Sequence, residues 1–385
     1  MKNVNSYDVA IIGGGVIGTS IAFELAAEKL RVVLLDRQQP GLEASWAAAG
    51  MLSPGGHFSG DDPLVPFAKL SFEMYPEFIA TVESASARSV EFSRPGAVEV
   101  FYGESAQEEC DDFCTAQRRC GLRAEVICVA EARKLEPALG SAARAAACLP
   151  EEATVEPRSL MDALLAGAKN RGVEIRPSCA VTRLEFEGQR CLGLIANGER
   201  IAADSVVLAA GCFSQQVLTG MNGLERTIPT KPIRGQMVAL RSESARVMRV
   251  LRSAKGYVVP RRAGYVVCGS TLEDAGFEKR VTPEGVQEIL GAARELVPAL
   301  AEATTLDAWA GLRPGTPDGL PILGATEFAG LLAATGHYRN GILLAPATAK
   351  KIAKLILTRK SDPEIAIFSP VRFARAPGVR HTTSF

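Results

Sequence analysis

Apolar and polar positions alternate along the chain in two periods, and the change from one to the other marks out the elements. Tyr7–Ile12 is a short apolar run of strand length that ends in glycines. Thr19–Glu28 repeats at helical spacing, with Ile21, Ala22, Leu25 and Ala26 on one face. Arg31–Leu35 is again a strand-like run, and it stops at Asp36. Strand, helix and strand in this order predict a parallel pair with a crossover helix, the unit of a doubly wound sheet. Ser205–Ala209, running into Ala210-Gly211, and Leu331–Ala334, running into Thr335-Gly336, have the same buried character, and a helix is predicted over Ala347–Leu357. These pieces lie far apart, so a sheet that contains them all belongs to a discontinuous domain.

The chain between them reads differently. Ala97–Phe101, Met237–Arg241, Tyr257–Pro260 and Tyr265–Gly269 are strand-like runs separated by turn residues, while Gln107–Cys120 and Pro283–Leu296 are helical. A second, mostly antiparallel domain follows from this. The predicted fold class is α/β, or α+β overall. The tail from Ala376 to Phe385, with its proline, glycine and small polar residues, reads as loose.

Composition narrows the function classes. The 385 residues are 47% hydrophobic, enough for a large core, and 43 basic residues balance 43 acidic ones. Net neutrality argues against a general nucleic-acid binder, which needs a basic excess. No run of 18 apolar residues occurs, so no membrane span is expected. The early apolar run lacks the basic flank and cleavage site of a signal peptide. Nine cysteines form no disulfide framework, which fits a reducing cytoplasm. Cys110, Cys114 and Cys120 have a metal-like spacing but no histidine nearby, so no metal site is expected.

The strongest chemical signal is Gly13-Gly14-Gly15-Val16-Ile17-Gly18, a G-x-G-x-x-G turn between strand and helix. Gly13 permits the tight turn, Gly15 lets the backbone approach a pyrophosphate, and Gly18 lets helix and strand pack closely. The helix N-terminus favours that anion. Asp36, at the end of the second strand, is placed to accept ribose hydroxyls. The turn alone does not distinguish FAD from NAD. The N-terminal position of the unit, the second apolar strand running into Gly211, and the lack of a second such turn favour FAD.

Three segments carry a family resemblance. Residues 43–52 (Glu43-Ala44-Ser45-Trp46-Ala47-Ala48-Ala49-Gly50-Met51-Leu52), 310–319 (Ala310-Gly311-Leu312-Arg313-Pro314-Gly315-Thr316-Pro317-Asp318-Gly319) and 336–346, which begin Gly336-His337-Tyr338-Arg339-Asn340-Gly341, resemble signatures of the D-amino-acid oxidase family of FAD-dependent oxidoreductases. Together they look most like its glycine oxidase branch, which is linked to thiamine biosynthesis. The resemblance covers almost the whole chain in the right order. It implies a Rossmann-like FAD-binding domain over residues 1–90, 150–222 and 308–372, an antiparallel-sheet substrate domain over 91–149 and 223–307, and a flexible tail over 373–385.

The resemblance also implies roles. Val16 and Ile17 fall in the pyrophosphate turn, and Asp36 and Arg37 at the adenosine ribose. Ala44, Ser45, Ala49, Gly50 and Met51 run toward the flavin, the Val181 backbone meets the adenine, and His337, Tyr338, Asn340, Gly341, Ile342 and Leu343 form the loop and helix start at the ring. Arg313 and Arg339 correspond to substrate-side arginines, whose planar forks match a carboxylate, and Tyr257 to a tyrosine whose hydroxyl reaches it. An arbitrary arginine belongs more often to an ion pair, and a strand tyrosine more often only packs. Lys255 and Leu272 depart from the histidine and methionine of relatives, near the substrate. Trp46 is read either as a neighbour of the cofactor or as packing, and His57 as a loop residue rather than a base.

The implied reaction is oxidation of glycine, sarcosine or small D-amino acids: hydride passes from Cα to flavin N5, an imine forms, and O2 becomes H2O2. Non-covalent FAD is expected because no cysteine precedes His337 in its loop. A homotetramer or dimer and hand-over of product to a thiazole synthase are further implications. Two alternatives stay open: a quinone-linked D-amino-acid or proline dehydrogenase, and a non-catalytic flavin-binding subunit.

Overall fold

The structure, a computed structural model, describes residues 6–56, 62–221 and 224–374. His57 and residues 375–385 of the expected tail lie outside the described residues, while Phe373 and Ala374 close a short helix, Val371–Ala374.

The first sheet joins the pieces that the sequence scatters. Glu174–Arg176, Val32–Leu35, Ser6–Ile12, the last part of Glu199–Leu208, and Leu331–Thr335 run parallel in that order. Ile322–Ala325 adds an antiparallel edge. The first part of Glu199–Leu208 instead pairs antiparallel with Arg190–Ala196, so one strand serves both the parallel core and a meander. Val16–Ala27 is buried on nearly all sides, beyond the single face expected, because the helices Gly341–Thr358 and Pro157–Asn170 cover what the sheet leaves open.

The second sheet runs Thr304–Gly315, Lys231–Arg241, Val266–Gly269, Gly256–Pro260, Val250–Ser253, Ala97–Phe101, Ala145–Leu149, Glu125–Ile127. It is antiparallel except where Val250–Ser253 lies parallel to Ala97–Phe101. Thr304–Gly315 pairs with Lys231–Arg241 from Thr304 opposite Arg241 to Gly315 opposite Lys231. The boundary placed at residue 308 therefore falls inside a strand of the second sheet, and residues 308–315 extend that sheet. The helix Pro283–Leu296 starts as expected, with the Thr282 hydroxyl accepting the Gly285 N–H at 3.2 Å. Cys110 and Cys114 are buried on the inner face of the helix Ala106–Arg119.

Two helices differ from the sequence reading. Val65–Ser86, which no pattern assigned, has Pro76 in its interior. The C-terminal helix begins at Gly341, before the Ala347 of the periodicity but within the 337–343 segment where the resemblance put the helix start, and holds Pro346 inside. Pro346 has no N–H for the Ile342 carbonyl. The Tyr75 hydroxyl takes that carbonyl instead, and the Ser71 hydroxyl donates to Leu343 O at 2.7 Å while accepting the Ala347 N–H at 3.2 Å. Side chains of the first helix thus mend the proline-opened turn of the second.

Candidate active site

A cavity of about 640 Å3 lies between the two sheets, within the roughly 300–1,000 Å3 usual for ligand sites. One wall is the carboxyl end of the parallel strands, at Ile12, Leu35, Ala209 and Thr335, and the other comes from the second sheet, at Met237, Tyr257 and Arg313. Every site residue named from the sequence lies in this wall except Gly18 and Leu272.

Gly18 acts from behind. A Cβ there would meet the Gly13 carbonyl oxygen at 2.0 Å, so its role is close packing of helix on strand. Gly13 has φ +105°, and a Cβ on it would lie 2.4 Å from Ala209 O. A Cβ on Gly15 would meet only Ser45 Oγ, at 3.2 Å, so its backbone stays open to the cavity. The helix behind it has no side-chain cap and no acid in its first turn, although the Val16 N–H donates to Ser45 Oγ at 2.9 Å. An anion is favoured here.

Asp36 accepts the Gly14 N–H at 2.8 Å and the Gln38 N–H at 2.9 Å, which fixes its carboxylate beside the turn; burial pushes its pKa up. Arg37 pairs with Glu43 at 2.8 Å and lies 3.5 Å from the centre of the Phe213 ring, with Phe277 stacked beyond. Val181 and Gly211 complete this end. The strip from Ala44 to Met51 is held from outside: Trp309 donates to Ala47 O at 3.1 Å and Arg261 donates to Ala49 O. Trp46 lies outside the cavity wall, edge-on to Trp309 and under Arg158, so it packs. Bare glycine backbone, a fixed acid near it and a long cavity of this volume fit FAD.

His337 is buried, its ring nitrogen 3.1 Å from Thr348 Oγ1, and burial pushes its pKa down to about 3. A neutral imidazole committed to Thr348 anchors the loop rather than moving protons.

At the far end, Arg313 donates to Ser270 Oγ at 2.7 Å and to Thr271 O at 3.3 Å. Burial lowers its pKa, and Arg339 acts in the same direction, with Tyr257 opposing. A Cβ on Gly235 would come within 2.0 Å of Arg313 Nη1, so this glycine makes room for the guanidinium. The Tyr257 hydroxyl donates to Met237 Sδ at 3.3 Å. Arg339 is exposed at the rim, against Tyr338. Lys255 lines the cavity, whereas Leu272, also expected near the substrate, is exposed and outside the wall: it follows Thr271, whose hydroxyl is turned toward Gln236 and Glu273. Ser270, Gly235, Phe213 and Arg252 went unseen in the sequence. Arg252 is buried with Glu99 and Glu152 at 2.8 and 2.9 Å, a pairing that no local motif encodes.

Among the described residues no helix is long and apolar enough to cross a membrane. Residues 8–355 match the DAO family model, described as FAD dependent oxidoreductase. The chain is 33% identical to a glycine oxidase of Pseudomonas aeruginosa, over 94% of this chain and 98% of that protein. It is 34% identical to the Bifunctional protein ThiO/ThiG of Trichormus variabilis, over 98% of this chain but 57% of that protein, so it spans little more than half of that relative's length. The crystal structure of glycine oxidase from Geobacillus kaustophilus superposes with a TM-score of 0.90 at 32% identity, over 97% of this chain and 100% of that one.

Proposed function

Because this chain belongs to the DAO family of FAD-dependent oxidoreductases, we propose that it is an amino-acid oxidase, that its substrates are glycine, sarcosine and small D-amino acids, that O2 is reduced to H2O2, and that the imine product feeds thiazole formation in thiamine synthesis. The observation that carries this reading is Arg313: a guanidinium held by Ser270 and Thr271 in the wall of a cavity that fits FAD, beside Tyr257.

Bound FAD supplies the two-electron acceptor chemistry. Gly15 and the N-terminus of Val16–Ala27 would hold its pyrophosphate, Asp36 its ribose, and residues 337–343 and 44–51 its ring. The protein's part is orientation. Arg313 grips the substrate carboxylate in two parallel hydrogen bonds, Tyr257 adds a third donor, and Arg339 covers the open side. The amine then enters uncharged, with its Cα fixed. Among the described residues no carboxylate lines the wall at the Arg313 end, and no general base is needed when the amine's own lone pair drives oxidation.

Glycine, O2 and water are consumed, and glyoxylate, ammonia and H2O2 released; where a thiazole synthase takes the imine, the water step is bypassed. A homodimer or homotetramer accompanies this reading, checked by light scattering. Oxygen consumption with glycine, sarcosine and D-alanine, with H2O2 measured in parallel, tests the function. One H2O2 per O2 is expected. Amine-dependent reduction of a quinone analogue with O2 untouched would contradict it.

A further inference from the structure

Arg313 is held by two neutral acceptors, Ser270 Oγ and Thr271 O, so its charge is left for a ligand. These acceptors lie on the segment that follows Val266–Gly269, and that segment is itself held from the far side of the sheet. Gly235 faces the Arg313 guanidinium, so alternation along Lys231–Arg241 sends Arg234 and Gln236 to the opposite face. There the chain folds back, and Arg234 and Glu273 exchange backbone hydrogen bonds at 2.9 and 3.0 Å. Gly235, Ser270 and Arg313 belong to the cavity wall, whereas Arg234, Gln236, Thr271 and Glu273 stand behind it.

Glu273 ties this rear face together. Its Oε2 accepts Nε and Nη2 of Arg234, the first at 3.2 Å, and its Oε1 accepts Gln236 Nε2 at 2.9 Å and the Thr271 hydroxyl. The Thr271 oxygen accepts the Gln236 N–H at 2.9 Å, and Gln236 Oε1 accepts the Thr282 N–H at 2.8 Å. Arg234, Gln236 and Thr271 are buried. Burial alone would raise the pKa of Glu273, but the hydrogen bonds from Arg234, Thr271 and Gln236 bring it below its usual value. Glu273 is therefore a carboxylate, and the Thr271 hydroxyl donates to it. Arg234 balances that charge, which leaves Arg313 unneutralised. Thr271 is the joint between the two arginines: its side chain is fixed to Glu273 and its carbonyl faces Arg313.

We propose that Glu273 is a positioning residue for substrate binding: through Thr271 it fixes the two acceptors of Arg313, and through them the direction in which the guanidinium fork meets the substrate carboxylate. The inference rests on reading Arg313 as the carboxylate clamp of a small-amine oxidase. Acceptors on a loose segment would let a long arginine side chain swing, and a bidentate pair tolerates little misalignment. Glu273 supplies the rigidity from behind the wall, where its charge is spent on Arg234 and does not compete with the substrate for Arg313.

The test uses the holoenzyme and glycolate, which has the carboxylate of glycine but no amine, with binding followed by perturbation of the flavin absorption. Glu273→Gln and Thr271→Val are each expected to raise the Kd of glycolate about tenfold, while Thr271→Ser, which restores the hydroxyl, stays within about threefold of the wild type. The double variant Glu273→Gln/Thr271→Val is expected to bind about as weakly as either single one, since both break the same link. KM for glycine is expected to follow the Kd, with FAD retention and the rate of flavin reduction at saturating glycine changed by less than about twofold. A merely structural role would loosen FAD or slow reduction and leave the Kd alone. Thr271→Val keeps the Arg234–Glu273 pair, so it decides the matter even if Glu273→Gln does not fold. A wild-type Kd in Thr271→Val, no recovery in Thr271→Ser, or a loss of about a hundredfold in the double variant overturns the proposal. If the wild type binds no glycolate, the clamp reading of Arg313 falls and the proposal with it. If glycolate binds but glycine is not oxidised, the oxidase reading fails, while the expected Kd shifts still uphold the role of Glu273.

Discussion

The setting of Arg313 shows how much of a site depends on residues that bear no chemistry themselves. Gly235 stands opposite Gly311 in the paired strands, and its missing side chain is the space the guanidinium fills. Gly235→Ala is expected to displace Arg313 and raise the KM for glycine at least about tenfold, with the far-ultraviolet dichroism unchanged. Ser270→Ala removes a hydrogen bond to a charged group, a loss of roughly 1.5–3 kcal/mol at most, and is expected to lower kcat/KM by about tenfold. Wild-type kinetics in either variant would remove both from the account. Arg313 itself is legible, because it stands in a local run of glycines and prolines. Ser270 and Gly235 are not, because their contacts with it are made across strands, far along the chain. His337 carries a pH signature. Its pKa in the folded state, about 3, lies below the usual 6.5, so the unfolded chain binds the extra proton between those values. Its contribution to stability is present above pH 6.5 and is lost as pH falls toward 3, at up to roughly 1.4 kcal/mol per pH unit. Urea midpoints are expected to drop from pH 7 to pH 5, and to drop less in His337→Gln; equal slopes would count against a buried neutral imidazole.

Among the elements, the C-terminal helix is where local pattern misleads most. Periodicity begins the helix only at Ala347, and tertiary contacts carry it back across Pro346: Tyr75 and Ser71 take over the carbonyls and the N–H that the proline turn leaves. The gain is a helix start at Gly341, directly in the cavity wall, instead of a turn further on. Each of Tyr75→Phe and Ser71→Ala leaves a buried carbonyl without its donor, and each is expected to destabilise the fold by roughly 1–3 kcal/mol in urea unfolding. Both should also weaken FAD retention on dilution. Unchanged stability in both variants would show that the opened turn is satisfied some other way. The N-terminal unit behaves oppositely. Ser6–Ile12, the glycine turn and Val16–Ala27 are local in sequence, and each glycine has the role its position suggests: Gly13 at a positive φ, Gly18 under the strand, and Gly15 open to the cavity.

For the whole molecule, discontinuity was legible and its seams were not. Scattered apolar strands ending in glycine foretold a single sheet assembled from distant segments, and the strand order bears that out. Thr304–Gly315 shows why boundaries are harder: pairing with Lys231–Arg241 holds all of it in the second sheet, and this pairing delivers Arg313 to the cavity. The cavity is thus a product of interleaving, with the glycine turn and Asp36 from one sheet and Tyr257 and Arg313 from the other. That arrangement makes the central claim testable in one cuvette. Mixed with glycine under nitrogen, the holoenzyme is expected to lose its flavin absorption band, and Arg313→Met, still yellow, to keep it at the same glycine concentration. Bleaching at equal rates and equal glycine dependence in both proteins, or no bleaching of the wild type by glycine, sarcosine or D-alanine, would contradict the account.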